Sequence, residues 1–201
     1  MTKLTRRFVL GAATAMVAMP VFAQEAIEIE DIVIGNPDAD VTVIEYASFT
    51  CPHCRTFHEG PFKELKAEYI DTGKIKFIYR EVYFDPEGLW ASMLARCAGP
   101  DRYMAIADMI YTQQREWPNR ADPAATANNL KTMGKVAGLS TEEVDACFAD
   151  RDMAKALVAN YQKNAEADGI NSTPSFLING TKYNNISFEE MSEAIDAALG
   201  S

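Results

Sequence analysis

Two cysteines three positions apart enclose a proline and a histidine in the run Cys51-Pro52-His53-Cys54. A cysteine anion is both a strong nucleophile and a good leaving group, so a close pair can cycle between dithiol and disulfide. The local pattern suits that chemistry. Cys54, Phe57, Pro61 and Leu65 recur at spacings of three and four, one face of a helix. Cys51 is then expected at the first turn of that helix, with Cys54 one turn in and facing the core. Unpaired N–H groups and the positive end of the helix dipole meet at a first turn and favour thiolate over thiol. The competing use of C-x-x-C is half of a structural zinc site, which needs two further ligands, usually a second C-x-x-C or a histidine pair. The other cysteines, Cys97 and Cys147, form no such pair, and the two histidines are His53 inside the motif and His58 a turn beyond Cys54. No metal and no cofactor is expected. C-x-x-C between a strand and a helix is a redox pattern.

The elements that must hold the pair can be read around it. Val41 to Phe49 is rich in β-branched and aromatic residues and reads as a buried strand. Its one charged residue, Glu45, shares strand parity with Val41, Val43, Ala47 and Phe49, so it points to their face. A carboxylate there is costly unless it is paired or protonated. Upstream, Ile27 to Ile34 alternates apolar and acidic residues and predicts a strand with one solvated face; residues 36–40 predict a turn. Ile75 to Arg80 predicts a strand after the active-site helix, and strand, long crossover, strand implies a parallel pair.

From Asp85 to Asp168 the pattern is almost wholly helical. Asp85-Pro86 starts a helix that Gly99-Pro100 ends; Asp122-Pro123 starts another after the break at Trp117-Pro118-Asn119; and Ser140 to Glu143 has capping-box spacing. Strand character returns at Ser175-Phe176-Leu177-Ile178, followed by the hairpin signal Asn179-Gly180 and a return strand at Lys182-Tyr183. Ser187 to Leu199 predicts a closing amphipathic helix. The fold class is α/β: a mixed central sheet interrupted by an inserted helical domain. The division is a signal peptide over 1–23, a sheet domain over 24–84 and 169–201, and a helical insertion over 85–168.

The N-terminal segment reads as an export signal. Lys3, Arg6 and Arg7 precede the apolar run Phe8 to Val21, which ends in Phe22-Ala23, so cleavage is expected after Ala23. Thr5 to Leu10 also resembles a twin-arginine signal, leaving the route open between the two export systems. The run is short and rich in alanine and glycine, which disfavours an uncleaved membrane anchor. Removing three cations and no acids takes the net charge from −10 to −13. So acidic a surface repels phosphate backbones, and no nucleic-acid partner is expected. Export delivers the chain to an oxidising space where disulfides persist. Cys97 shares a helix face with Trp90, Met93 and Leu94, and Cys147 shares one with Val144 and Phe148. Both sulfurs should point into the insertion core and form a structural disulfide.

Glu45 six positions before Cys51, the Cys51-Pro52-His53-Cys54 motif, and Thr173-Pro174 before the Ser175 strand together resemble the DsbA-like thiol–disulfide oxidoreductases, a thioredoxin fold with a helical insertion. The resemblance spans about residues 27–200, and the Pro-His pair looks like that of its oxidising members. It implies that Cys51 is the sulfur substrates attack, stabilised by His53 in a turn restrained by Pro52. Cys54 would be the buried partner, with Glu45 accepting or relaying its proton. The bond before Pro174 would be cis, and its loop would pair with the substrate backbone, with Thr173 nearest the sulfurs. The implied function is periplasmic: oxidising reduced exported proteins, with reoxidation by a DsbB-type quinone-linked membrane partner. No dimerisation element is evident, so a monomer is expected. The stretch before the buried strand leaves no room for the N-terminal dimerisation domain of isomerases. Thr173 before the proline does occur in isomerases, so an isomerase or reductase is the alternative within the enzyme class. Outside it the alternative is a non-catalytic thioredoxin-like chaperone or metal-binding module. His58, Trp90, Trp117 and the methionines are read as packing or surface residues without chemistry.

Overall fold

The structure, a computed structural model, describes residues 27–200; the expected export signal lies outside the described residues. The chain enters through β1 (Ile32–Gly35) and β2 (Val41–Ala47), then turns at Cys51 into α1 (Pro52–Glu59) and α2 (Pro61–Leu65). A π-helical turn, Lys66–Ile70, leads to β3 (Ile75–Glu81). Next come α3 (Pro86–Cys97), α4 (Pro100–Thr112), α5 (Pro123–Val136), α6 (Thr141–Ala149) and α7 (Arg151–Ala167). The hairpin β4 (Ser175–Ile178) and β5 (Thr181–Asn184) and the helix α8 (Phe188–Leu199) complete the described chain.

One sheet carries all five strands in the order β1-β3-β2-β4-β5. β2 and β3 are parallel, as their helical crossover requires. The β1–β3, β2–β4 and β4–β5 pairs are antiparallel. Asn179 and Gly180 turn the β4–β5 hairpin with φ of 45° and 85°, the left-handed pair that a two-residue turn between twisted strands needs. β2 lies at the centre, so its C-terminal end delivers Cys51 to the middle of one sheet edge.

Two elements depart from the sequence pattern. The strand expected from Ile27 is hydrogen-bonded only from Ile32 onward. Before Ile32 the chain is held by guanidinium groups instead: Arg80 donates to both Asp31 oxygens at 2.9 and 2.8 Å, and Arg96 Nη1 donates to the Glu30 carbonyl at 3.1 Å. The helix expected to run from Cys54 to Leu65 is broken at Gly60, whose ψ is −90°. Pro61 has no N–H to continue the ladder, so α2 starts afresh there.

The main core cluster fills one face of the sheet and continues without a break into the helices. Val43, Phe77 and Phe176 from the strands join Leu94, Tyr103, Ile110 and Leu130 from α3, α4 and α5. A smaller cluster of Tyr46, Val82 and Leu177 on the opposite face is covered by Tyr161 of α7 and by Ile170. The buried carboxylate of Glu81 ties α3 and α4 to β3. Arg96 donates to its two oxygens at 2.6 and 2.7 Å, and the Tyr103 hydroxyl donates at 2.9 Å. α3, α5 and α6 meet at Gly134, where a Cβ would lie 2.7 Å from Val144 Cγ2 and 3.0 Å from Leu94 Cδ1. Cys97 and Cys147 are joined as a disulfide between α3 and α6, with their Cα atoms 6.0 Å apart.

That cross-link closes a loop with a sequence separation of 50. Replacing both cysteines with alanine should therefore destabilise the fold by up to about 4 kcal/mol, the chain-entropy figure for a loop of this size. Thermal unfolding followed by circular dichroism should show a lower midpoint with an unchanged native spectrum. An unshifted midpoint would mean that packing alone holds α3 to α6.

Candidate active site

Cys51 is the N-cap of α1, with extended backbone at φ −85° and ψ 120°. Its Sγ accepts from the Cys54 N–H at 3.5 Å, one of the amides that the helix leaves unpaired. Pro52 occupies the first helical position, where its missing N–H costs nothing. Cys51 retains 9% exposure and Cys54 none, and both are free thiols. The sulfur at the mouth can be attacked; its partner is sealed behind it.

The environment drives the two thiols apart in acidity. Cys51 is lowered to about 5, first by the hydrogen bond from the Cys54 thiol. Burial opposes this, and donors from Thr173 and from the Cys54 and His53 backbones add to it. Cys54 is pushed far above an ordinary thiol by burial, then by the hydrogen bond and negative charge of Cys51, and further by the charge of Glu45. His53 itself is exposed. The sequence reading gave His53 a stabilising role; its backbone N–H adds the smallest of these contributions to the lowering of Cys51.

Across the mouth lies the Thr173-Pro174 peptide, which is cis. The Cys51 thiol faces the Thr173 carbonyl at 3.4 Å. The loop is pinned from behind: Asn185 N–H donates to the Pro174 carbonyl at 3.1 Å, and the Ser175 hydroxyl donates to the Ser172 carbonyl at 2.8 Å. On the other side, Gln114, two residues beyond α4, donates through Nε2 to the carbonyls of Phe49 and Cys51 at 2.9 and 2.8 Å. That amide clamps the turn between β2 and α1. It lies more than sixty positions from either partner, so no local pattern marks it.

Glu45 is fully buried on the core face, in register with Tyr79 on β3 and Phe176 on β4. Its carboxylate is paired. His58 Nε2 lies 3.0 Å from both Glu45 oxygens, and the imidazole is itself buried. His58 stacks on the Tyr111 ring at 4.3 Å, and the Tyr111 and Tyr79 hydroxyls are hydrogen-bonded at 2.7 Å. His58 is therefore not the packing or surface residue that the sequence reading made it. The missed signal was its spacing: four positions after Cys54, it shares the helix face turned toward β2, where Glu45 is the one acid. Among the described residues no three His, Cys, Asp or Glu side chains converge as a metal-binding group. An accessible acidic thiol beside a sealed, strongly basic one, with a carboxylate–imidazole pair behind, is arranged for thiol–disulfide exchange.

The chain matches the family model described as Thioredoxin over residues 28–197. A Rickettsia bellii protein provisionally named as a protein-disulfide oxidoreductase is 38% identical over 178 residues, covering 86% of this chain and 66% of its own. The chain thus spans just under two thirds of the length of that relative. Disulfide bond formation protein D of Bacillus subtilis is 25% identical over 83% of this chain and 76% of its own. The crystal structure of alpha-DsbA1 from Wolbachia pipientis superimposes with a TM-score of 0.80 at 27% identity, covering 88% of this chain and 94% of that one.

Two measurements test the site. Thiolate absorbance of the reduced protein should titrate with a midpoint near 5. Because the folded value lies below the ordinary one of about 8.5, the thiolate's stabilisation of the reduced fold is complete above that ordinary value. It is lost as the pH falls toward 5. Reduction then takes up two protons below the break and one above it. The potential should accordingly change by about 59 mV per pH unit on the acid side and about 30 mV on the other. A single slope through the acid range would contradict the assignment.

For the buried pair, Glu45→Gln keeps an acceptor for the imidazole and should alter stability by no more than about 1 kcal/mol. His58→Leu strands the carboxylate and should cost about 3 kcal/mol. Urea unfolding of both variants checks this, and equal losses would mean that the two groups do not act as a pair.

Proposed function

The chain belongs to the thioredoxin family, among its DsbA-like members with helices inserted between β3 and β4, and from that premise we propose that it is an exported protein-disulfide oxidoreductase that introduces disulfides into other proteins. The observation that carries this reading is the opposed acidity of the pair, Cys51 lowered to about 5 and Cys54 raised. A stable Cys51 thiolate favours the reduced enzyme, which makes its disulfide a strong oxidant.

In the oxidised enzyme a substrate thiolate attacks Cys51 Sγ. The Cys51–Cys54 bond breaks as the mixed disulfide forms, and the electron pair leaves on Cys54. So basic a sulfur departs well only if it is protonated, and Glu45 with His58 stands where that proton can be held. A second substrate thiolate then attacks the substrate's own sulfur and expels Cys51 as a thiolate. The substrate loses two electrons and two thiol protons. Cys54 takes up one proton, and the other passes to solvent. Thr173 and Pro174 border Cys51 where a substrate backbone would lie.

The same reading places the enzyme in the periplasm as a monomer, acting on reduced exported proteins and reoxidised by a DsbB-type quinone-linked partner. The insertion over 85–168 would frame the active turn through Gln114. Thr173 before the cis-proline favours an isomerase as the second reading. Equilibration with glutathione separates the two when paired with refolding of a protein carrying scrambled disulfides. The expected results are a potential above about −180 mV and fast oxidation of a dithiol peptide, with slow rescue of the scrambled protein. A potential near that of thioredoxin, about −270 mV, would overturn the oxidant reading.

A further inference from the structure

The chain carries a net charge of −10, yet three arginines line one small cavity beside its reactive cysteine. The cavity holds about 270 Å³ and has Thr50 and Pro52 on one side, with Arg55, Arg115 and Arg120 around it. Thr50 and Pro52 are the residues on either side of Cys51, so one wall of the cavity is the turn that carries the nucleophile. No acidic residue lines it.

The arginines are incompletely neutralised. Arg120 Nη2 lies 3.4 Å from Asp85 Oδ2, but the arginine side chain is 76% exposed. Arg115 is exposed and has no ion-pair partner among the described residues. Arg55 is the most telling. Its Nε is buried with no hydrogen-bond partner, and the nearest carboxylate, Glu59 Oε2, is 3.7 Å away, beyond hydrogen-bond reach. A buried guanidinium donor without an acceptor is a rare and costly arrangement in a native fold. The Arg55 guanidinium stands in the cavity wall, so a carboxylate entering there would meet its positive charge and the forked donors of a second arginine.

We propose that this cavity receives an acidic side chain of the polypeptide that reacts at Cys51, so that the preferred substrates carry Asp or Glu within a few residues of the attacked cysteine. The inference rests on the oxidant reading above and names its substrate class. An extended peptide covers about 10 Å in three residues, enough to run from a sulfur at Cys51 into the cavity. The acid is assigned to the partner because none of the chain's own carboxylates lines the cavity.

The test uses three dithiol peptides identical except for Glu, Gln or Lys two positions from the reacting cysteine, mixed with the oxidised protein in quenched flow. At low salt the Glu peptide should be oxidised about fivefold faster than the Lys peptide, and the ratio should shrink as salt screens the charges. Arg115→Glu should reverse the order, and Arg115→Lys should keep it. Melting curves matching the parent protein establish that each variant is folded. Equal rates for the Glu and Lys peptides, with the Gln peptide oxidised normally, overturn the inference and leave the oxidant reading standing. So does a preference that survives in Arg115→Glu combined with Arg120→Glu. Failure to oxidise any of the three overturns the oxidant reading and this inference with it.

Discussion

Everything in this molecule depends on how the first turn of α1 treats one sulfur. The Cys51 Sγ sits where helix geometry leaves amides unpaired, and it receives the Cys54 N–H at 3.5 Å. The thiol of Cys54, held a turn deeper by the same helix, adds the largest single stabilisation of the anion. Neither donor is free to go elsewhere. Pro52 fixes the entry to the helix, Gln114 fixes the carbonyls on the strand side, and the Thr173 loop closes the opposite side. The sheet, the inserted helices and the C-terminal hairpin each supply one wall of this turn.

A second constraint lies behind it. Glu45 and His58 place an acid and a base in the core, where desolvation costs about as much as their attraction returns. Apolar side chains of the same volume would pack there at least as well. Cys54 gives a reason to tolerate the pair. In the proposed exchange its thiol, raised by burial, by Cys51 and by the charge of Glu45, gains or loses a proton in each cycle. The same pair fixes the rotation of α1 about its axis, since His58 and Cys54 share one face and His58 reaches both Glu45 oxygens.

Much of this was legible in the sequence because the signals were local. The C-x-x-C spacing, the parity of Glu45 along β2, the Asn179-Gly180 turn and the serine caps of α6 and α8 each need only a few neighbouring residues to be read. What escaped depended on residues that the fold brings together from afar. Gln114 meets Phe49 and Cys51, and Arg115 and Arg120 face Arg55, across more than fifty positions. His58 lay between the two cases: its spacing was visible, but its partner was on another element. The break at Gly60 was misjudged for a different reason. Apolar spacing of three and four continues through Pro61 even though the backbone hydrogen bonds do not.

The place of β4 in the sheet has a consequence for how the protein assembles. β4 pairs with β2, Glu45 opposite Phe176, across about 130 intervening residues, and all four cysteines precede it in the chain. Contacts so distant in sequence form late, whereas the helices between them can associate early through nearby neighbours. Four thiols allow three pairings. The helices that carry Cys97 and Cys147 do not need β4 in order to meet, so the topology allows that cross-link to form before the Thr173 loop closes over Cys51.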